Sequence, residues 1–414
     1  MSAPAAANSP PAKGKCREAA RGLVPKLRFP EFSRDSGWDC ATVADLVDIV
    51  APPKKLPSST YLPDGRFPII DQSRSYICGW TNNNEAVITT PLPVVVFGDH
   101  TCVLKFVDHP FAQGADGIKI VTANRCVSTP YLYHQLSHRP LVAKQYKRHF
   151  STLKNRLVYF PDPKLGEQRK IADCLGSLDD LIAAEGRKLE ALRQHKKGLM
   201  QQLFPQPGET APRLRFPEFV GQPLHHVRLR DLTEQSTARN GKKLSLEAVM
   251  GVNKEHGIVP MKKRLVAADI SRYKLVRSNW FAYNPMRLNI GSIARYQGNG
   301  NILVSPDYVV FRCLERSMPT GLLPEYLDSF RSCWQWHVFV NEAGDGGVRV
   351  RIYYRDLAQL QLALPSIAEQ RKIAECLGSL DALIAAGGRK LEALRQHKRG
   401  LMQQLFPNPK EGHA

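Results

Sequence analysis

Four short constellations in this chain carry residue types that catalyse reactions or bind metals. His134 and His138 stand four apart, a spacing that puts two imidazoles on one helix face. No third ligand is evident beside them, so a pair of surface histidines is the simpler reading. Asn284-Pro285-Met286-Arg287 opens like the Asn-Pro-Pro-aromatic loop of adenine methyltransferases. Its fourth residue, Arg287, cannot stack on a flipped base as an aromatic ring does, and no glycine-rich loop for a methyl donor precedes it. Asp162-Pro163-Lys164 with Glu167 has the flavour of a nuclease metal site, yet it stands at a helix entrance, where Pro and Glu are favoured for capping and dipole reasons. No GxxxxGK loop ending in Ser or Thr occurs, so ATP hydrolysis is not expected of this chain. Nine cysteines lie scattered without a CxxC pair or a Cys/His cluster. They indicate neither a metal framework nor a disulfide scaffold, and they point to a reducing compartment. No catalytic residue and no metal site is expected.

Charge says more than these motifs do. Lys plus Arg number 58 against 38 Asp plus Glu, a net +20 with a pI near 9.6. Such a surface attracts polyanions, although pI alone does not separate DNA from RNA, an anionic membrane or simple solubility. The excess lies on two stretches: residues 25 to 166 carry 17 basic and 12 acidic side chains, and residues 212 to 368 carry 22 and 13. Basic and aromatic residues interleave in both. The candidates for nucleic-acid contact are Lys54, Lys55, Arg66, Arg74, Tyr76 and Lys105 in the first stretch. In the second they are Lys242, Lys243, Lys262, Lys263, Arg264, Arg272, Lys274, Arg287, Arg295 and Tyr296. DNA recognition uses such side chains as phosphate anchors and as donors to guanine edges. For any one residue a solvated surface charge is the commoner role; the cluster is what carries weight.

The elements that must position these residues are announced by a repeat. Residues 167 to 207, EQRKIADCLGSLDDLIAAEGRKLEALRQHKKGLMQQLFPQP, recur at 369 to 409 with five differences in 41 positions. These are Asp173/Glu375, Asp180/Ala382, Glu185/Gly387, Lys197/Arg399 and Gln206/Asn408. A shorter echo precedes each stretch, PKLRFPEF at 25 to 32 and PRLRFPEF at 212 to 219. The chain is therefore a tandem of two units, each a variable stretch followed by a nearly invariant segment.

The repeated segment has a heptad stripe. Ile171, Leu175, Leu178, Ile182, Leu189, Leu192, Leu199 and Leu203 alternate in steps of three and four, with Glu185 and Lys196 at two skipped seam positions. The second copy repeats it with Ile373, Leu377, Leu380, Ile384, Leu391, Leu394, Leu401 and Leu405, interrupted at Gly387 and Lys398. Pro205 and Pro407 stop the helices. A helix from Glu167 to Phe204 is about 57 Å long. A narrow apolar stripe needs a partner, and the other copy is the nearest; the alternative is that each helix lies on its own globular stretch. The match of the outer faces as well favours the first, and suggests that identical partners bind both.

Between the echoes the two stretches differ from each other. Runs at Phe67 to Ile70, Ala86 to Thr90, Val94 to Phe97 and Ile118 to Val121 read as strands, before a helical stretch from Tyr131 to Phe150. In the second stretch Leu265 to Ala267, Trp280 to Tyr283, Ile302 to Val304 and Tyr308 to Arg312 read as strands and Pro324 to Phe339 as a helix. The fold class is α+β. The expected boundaries are a disordered basic tail at 1 to 24, domains at 25 to 166 and 212 to 368, a linker at 208 to 211 and a tail at 410 to 414. Residues 1 to 24 lack the apolar core of a signal peptide, and no run approaches the roughly 18 apolar residues that span a membrane, so a cytoplasmic protein is expected.

The arrangement resembles the specificity subunit of type I restriction and modification systems over nearly the whole chain beyond the first tail. The resemblance rests on the EQRKIA opening, the SLD-x-LI core and the GLMQQLF ending, each present twice. FGDHT at 97 to 101, ADGIK at 115 to 119, NWFAYNPMRLNIGSIARY at 279 to 296 and VSPDY at 304 to 308 resemble segments of that family's target recognition domains. One departure is the run LVYFPDPKLGEQ entering the first helix, against LALPSIAEQ entering the second. The resemblance implies two target recognition domains, each followed by a long helix, the two helices pairing as an antiparallel coiled coil. It implies a non-catalytic subunit that reads a bipartite double-stranded DNA target, with the helices setting the gap. It further implies two modification subunits carrying the methyltransferase and restriction subunits carrying the motor and nuclease, so that methyl donor, ATP and magnesium belong to those partners. The other readings are a self-contained methyltransferase or nuclease, and a coiled-coil nucleic-acid scaffold.

Overall fold

The computed structural model describes residues 24–407 except 36, 116, 144–147, 207–208, 242, 255, 262–264, 315–320, 332 and 343–350. The tails expected at 1 to 24 and 410 to 414 thus lie outside the described residues, Val24 apart. The chain divides into two compact units. One holds the residues up to Gly186 and from Arg389 onward, and the other runs from Arg187 to Gly388. Both divisions fall inside a long helix.

In the first unit Asp39–Thr42 pairs antiparallel with Leu157–Phe160. A four-stranded antiparallel sheet follows, in the spatial order Val47–Val50, Ile118–Ala123, Val94–Gly98, Leu104–Val107. The central strand Val94–Gly98 is buried along its whole length. Successive side chains enter two different cores, Val95 and Phe97 beside Tyr131 and Leu132, Val94 and Val96 beside Ile70 and Phe111. A strand buried on both faces reads as a continuous apolar run for this reason. A second sheet has the order Gly79–Thr81, Phe67–Ile70, Phe111–Gln113, Val87–Ile88. Helix α1, Thr129–His138, is capped by Ser128 and starts with Pro130 in its first turn. The sequence predicted helix from Tyr131 to Phe150, but α1 stops ahead of Pro140, which disfavours helical backbone at Arg139. A short helix resumes at Phe150–Lys154. Helix α2, Glu167–Leu203, is entered through a turn at Gly166, whose φ of 80° suits glycine.

The second unit repeats this plan. His225–Arg228 pairs with Gln361–Leu364, and a four-stranded sheet has the order Thr233–Ser236, Val309–Cys313, Phe281–Tyr283, Ile293–Arg295. By chain order both four-stranded sheets run 1-4-2-3, although the sequences of the two stretches do not resemble each other. The expected strand Leu265 to Ala267 does not form. Val266 instead packs on a small cluster of Val249, Tyr273 and Leu303. The predicted helix Pro324 to Phe339 is two helices, α3 at Pro324–Phe330 and α4 at Trp334–Glu342. Helix α5, Ile367–Leu405, completes the chain. It begins without the Gly166-type turn, which is the structural content of the two different entrance sequences.

Within each unit the first half of one long helix packs antiparallel against the second half of the other. In the first unit Asp179 pairs with Lys398 and Glu185 with Lys390 at 2.9 Å, so numbers rise on α2 as they fall on α5. In the second unit Lys196 pairs with Asp381 at 2.5 Å. The charged residues that interrupt the heptad stripe, Glu185, Lys196 and Lys398, are therefore the ones that make ion pairs across it. The counterpart of Glu185 is Gly387, which has no side chain to offer Lys188. Charge also favours this direction: residues 167 to 186 hold two basic and five acidic side chains, and residues 389 to 405 hold five and one. Antiparallel packing sets the acidic half on the basic half and opposes the helix dipoles. All the seam leucines and isoleucines are buried or half-buried. Ile171, Leu175, Leu189, Leu203, Ile373, Leu377, Leu391 and Leu405 are the buried ones.

The short repeated motifs meet in one clamp per unit. Arg28 of the echo donates to both carboxylate oxygens of Glu167, at 2.8 and 2.7 Å, and Arg215 does the same to Glu369, at 2.9 and 2.5 Å. Gln168 donates from Nε2 to the carbonyls of Cys126 and Pro161 and accepts from the amide of Ser128 at the head of α1. Gln370 donates to Gly321 and Pro365 and accepts from Leu323 at the head of α3. Leu27 N–H bonds Gln404 O, and Leu214 N–H bonds Gln202 O. Finally Phe406 enters the first core beside Tyr131, and Phe204 enters the second beside Tyr326 and Phe330.

Candidate nucleic-acid interface

The chemistry-bearing constellations resolve into structure. His134 is buried, and His138 is half-buried with its ring 5.4 Å from that of Phe406, so the pair is not on the surface as expected. Burial and the nearby Lys398 push His134 down to about 3; burial, Arg139 and Arg156 push His138 down to about 4. Asp162 accepts from the amide of Lys164 and caps the turn Pro163–Leu165. Glu167, expected to serve the helix dipole, is bound by Arg28. Asn284 caps its own loop by accepting from the amide of Met286. Among the described residues no group of three or more His, Cys, Asp or Glu is placed to hold a metal, and no helix is long and apolar enough to cross a membrane. Cys78, Cys102, Cys126, Cys174, Cys313 and Cys376 are free, while Cys40 is disulfide-bonded, which the scatter of the cysteines did not indicate.

The cationic candidates separate into two groups. Lys54, Lys55, Arg66 and Arg74 are exposed on the first unit, and Tyr76 is 42% exposed with its hydroxyl donating to the carbonyl of Phe106 at 2.7 Å. Arg66 lies 5.1 Å over the ring of Phe67. Lys243, Arg272 and Arg287 are exposed on the second unit. Lys242, Lys262, Lys263 and Arg264 lie outside the described residues.

Four candidates serve the interior of their own domains. Lys105 is 4% exposed and donates from Nζ to the carbonyls of Asp71, Ser75 and Tyr76, at 2.8, 2.6 and 3.4 Å. Burial pulls its ammonium below the usual lysine range, against the pull of the Asp71 carboxylate and Cys78. Lys274 donates to the carbonyl of Tyr308 at 2.5 Å. Arg295 is held by Glu325 at 2.7 Å and Asp328 at 3.4 Å. Tyr296 donates to the carbonyl of Asn299. A long cationic side chain can satisfy buried carbonyls or carboxylates as readily as a phosphate, and sequence does not distinguish the two.

One cluster escaped the sequence reading. Arg277 and Arg312 sit 5.4 and 5.9 Å from the ring of Trp280, beside a shallow cleft of about 370 Å³. Arg312 is also paired with Glu234. The signal available was Trp280 opening one predicted strand and Arg312 closing another.

The motif segments of the first unit converge on the short loop Asp71 to Tyr76. Gln72 accepts through its carbonyl from the Thr101 hydroxyl, and its side-chain oxygen faces the amide of His100 at 3.4 Å. A Cβ at Gly98 would stand 3.0 Å from that of Gln72, one at Gly117 2.7 Å from its Nε2, and one at Gly114 3.0 Å from Asp71 Cβ. Gly98 and Thr101 of FGDHT and Gly117 of ADGIK thus close on one loop. Asp99 in the same motif accepts from the amides of His149 and Phe150 and starts the Phe150–Lys154 helix.

No protein-family model matches the chain. A curated protein of Methanocaldococcus jannaschii, described as an inferred MjaX specificity subunit of a type I restriction enzyme, is 23% identical over 263 residues. The match covers 59% of this chain and 58% of that protein, less than two thirds of the relative's own length. The crystal structure of a type I restriction-modification S subunit from M. genitalium superposes with a TM-score of 0.62 at 14% identity. It covers 93% of this chain and all of that one. This chain therefore has the fold of an S subunit and is similar in sequence to a specificity subunit.

Proposed function

We propose that this chain is the DNA specificity subunit of a type I restriction-modification complex. The observation that carries the proposal is the paired clamp: two domains of one strand order but unlike sequence, each fastened by the same Arg-Glu, Gln and Phe contacts to the same repeated helix. Divergent domains on invariant mounts suit a protein whose two modules read different halves of one target while common surfaces serve common partners. The basic surplus of both stretches, +5 and +9 by the counts above, supplies the electrostatic share of DNA binding. In this reading each domain reads one half-site, the helices set the gap, and two modification subunits and the restriction subunits bring methyl donor, ATP and magnesium. The chain itself has no catalytic role.

The test is a methylation map of the host with and without this gene. Loss of one two-part adenine-methylated motif on deletion is the expected result; an unchanged map rules the reading out.

A further inference from the structure

We infer that Arg74 is the side chain with which the first domain reads a base, and that Lys105 is the positioning residue that holds it in place. The inference rests on the specificity-subunit reading and names a residue for its first half-site.

The loop Asp71 to Tyr76 is six residues long and ends in solvent, yet it is fixed at every turn. The Lys105 ammonium gathers three of its carbonyls from beneath. Asp71 accepts from the Ser73 amide at 2.7 Å, and the Ser73 hydroxyl reaches the Ser75 carbonyl at 3.3 Å. Tyr76 ties the far end to Phe106 of the neighbouring strand. Gln72 is wedged between Gly98 and Gly117, where side chains would collide with it. Burying an ammonium among carbonyls is costly unless all its donors are satisfied, and here the result is an ordered backbone rather than a packed core. The cationic side chain that this framework leaves exposed is Arg74. A guanidinium on a rigid mount can present its planar fork to the O6 and N7 of guanine with no loop backbone left to order, which is the commonest specific contact in a major groove. The other exposed candidates from the sequence suit other roles. Lys54 and Lys55 are single-charge donors, suited to phosphate, and Arg66 is spread over Phe67.

The experiment uses the complex in its host. Methylation maps are compared for the wild-type gene, Arg74→Ala, Arg74→Lys and Lys105→Met, and each complex is titrated on a duplex bearing the mapped motif over a range of salt. With Arg74→Ala, one guanine position in one half of the motif should become tolerant of other bases, with affinity for the mapped duplex falling about tenfold or more. Arg74→Lys should not restore it, because lysine lacks the fork. Lys105→Met should relax the same position and leave the other bases of that half-site read as before, which general loosening of the domain would not do. The inference is overturned if Arg74→Ala keeps the wild-type motif, or if it weakens all sequences equally and lowers the salt slope by about one, the mark of a phosphate anchor. A map that does not change when the whole gene is deleted would instead remove the specificity-subunit reading itself.

Discussion

The ring of Phe406 stands edge-on to that of Tyr131, their centroids 5.8 Å apart, so a residue near the end of the chain completes the core of its first domain. Phe406 is 1% exposed and shares that core with Leu405 and Met402. The counterpart Phe204 completes the second core. Replacing Phe406 with Ala should cost about 3 to 5 kcal/mol, and hydrogen exchange should accelerate in residues 38 to 186 but not in 225 to 364. Phe204→Ala should give the reverse pattern. Equal acceleration in both regions by either variant would contradict the assignment of the helix ends.

The clamp between Arg28 and Glu167 is a bidentate pair with side-chain exposures of 9% and 1%. Removing Glu167 takes the carboxylate from a buried guanidinium, which keeps its bond to the Asp35 carbonyl. Glu167→Ala should therefore destabilise the first unit by about 3 to 5 kcal/mol, while Arg28→Met with Glu167→Met together should cost less than Glu167→Ala alone. Urea unfolding of the wild type and the two variants decides it, and a double variant as unstable as Glu167→Ala or more so would contradict it.

His134 faces Lys398, Asp179, Tyr133 and the backbone of Ala172. Its pKa is depressed from 6.5 to about 3, so the unfolded chain takes up a proton that the folded chain refuses. The stability this contributes is whole above about pH 6.5 and is lost as pH falls towards 3. His134→Phe should flatten the pH dependence of the urea midpoint between about pH 7 and about pH 4. A slope unchanged by the substitution would show that His134 titrates normally in the fold.

Lys196 with Asp381 tests the antiparallel register in the second unit. The carboxylate is 59% exposed and solvent weakens the pair, so Asp381→Lys should cost only about 0.5 to 1 kcal/mol, and adding Lys196→Asp should recover most of it. The difference should shrink in about 1 M salt, where the Debye length is about 3 Å. Failure of the reversed pair to recover stability would place these residues out of register.

Modularity is the prediction at the level of function. Exchanging residues 212 to 368 for the corresponding stretch of a relative should change one half of the methylated motif. The incoming stretch must keep aromatic residues at the positions of Tyr326 and Phe330, because Phe204, just past the end of α2, packs edge-on to both. Inserting residues into one helix should alter the gap instead, each adding about 1.5 Å and about 100°. A swap that rewrote both halves would show that the domains read jointly.

Sequence alone determined the tandem, the two long helices, their heptad seam, the α+β class of both stretches and their basic surplus. These are legible because they are periodic or compositional: a heptad stripe and a net charge survive without coordinates. The direction of pairing was half-legible, since acidic first halves and basic second halves suit only one orientation. What tertiary structure decided was which distant groups meet. Arg28 and Glu167 are 139 residues apart, and nothing local says that the echo and the helix opening form one clamp. The shared 1-4-2-3 strand order lies under sequences that have no visible likeness, because a sheet asks only for apolar residues at alternate or buried positions and many sequences supply them. The same holds for the cations. Lys105 and Arg74 read alike in the chain, but folding buries the first among three carbonyls and leaves the second in solvent, and burial is a property of neighbours brought in from elsewhere in the sequence.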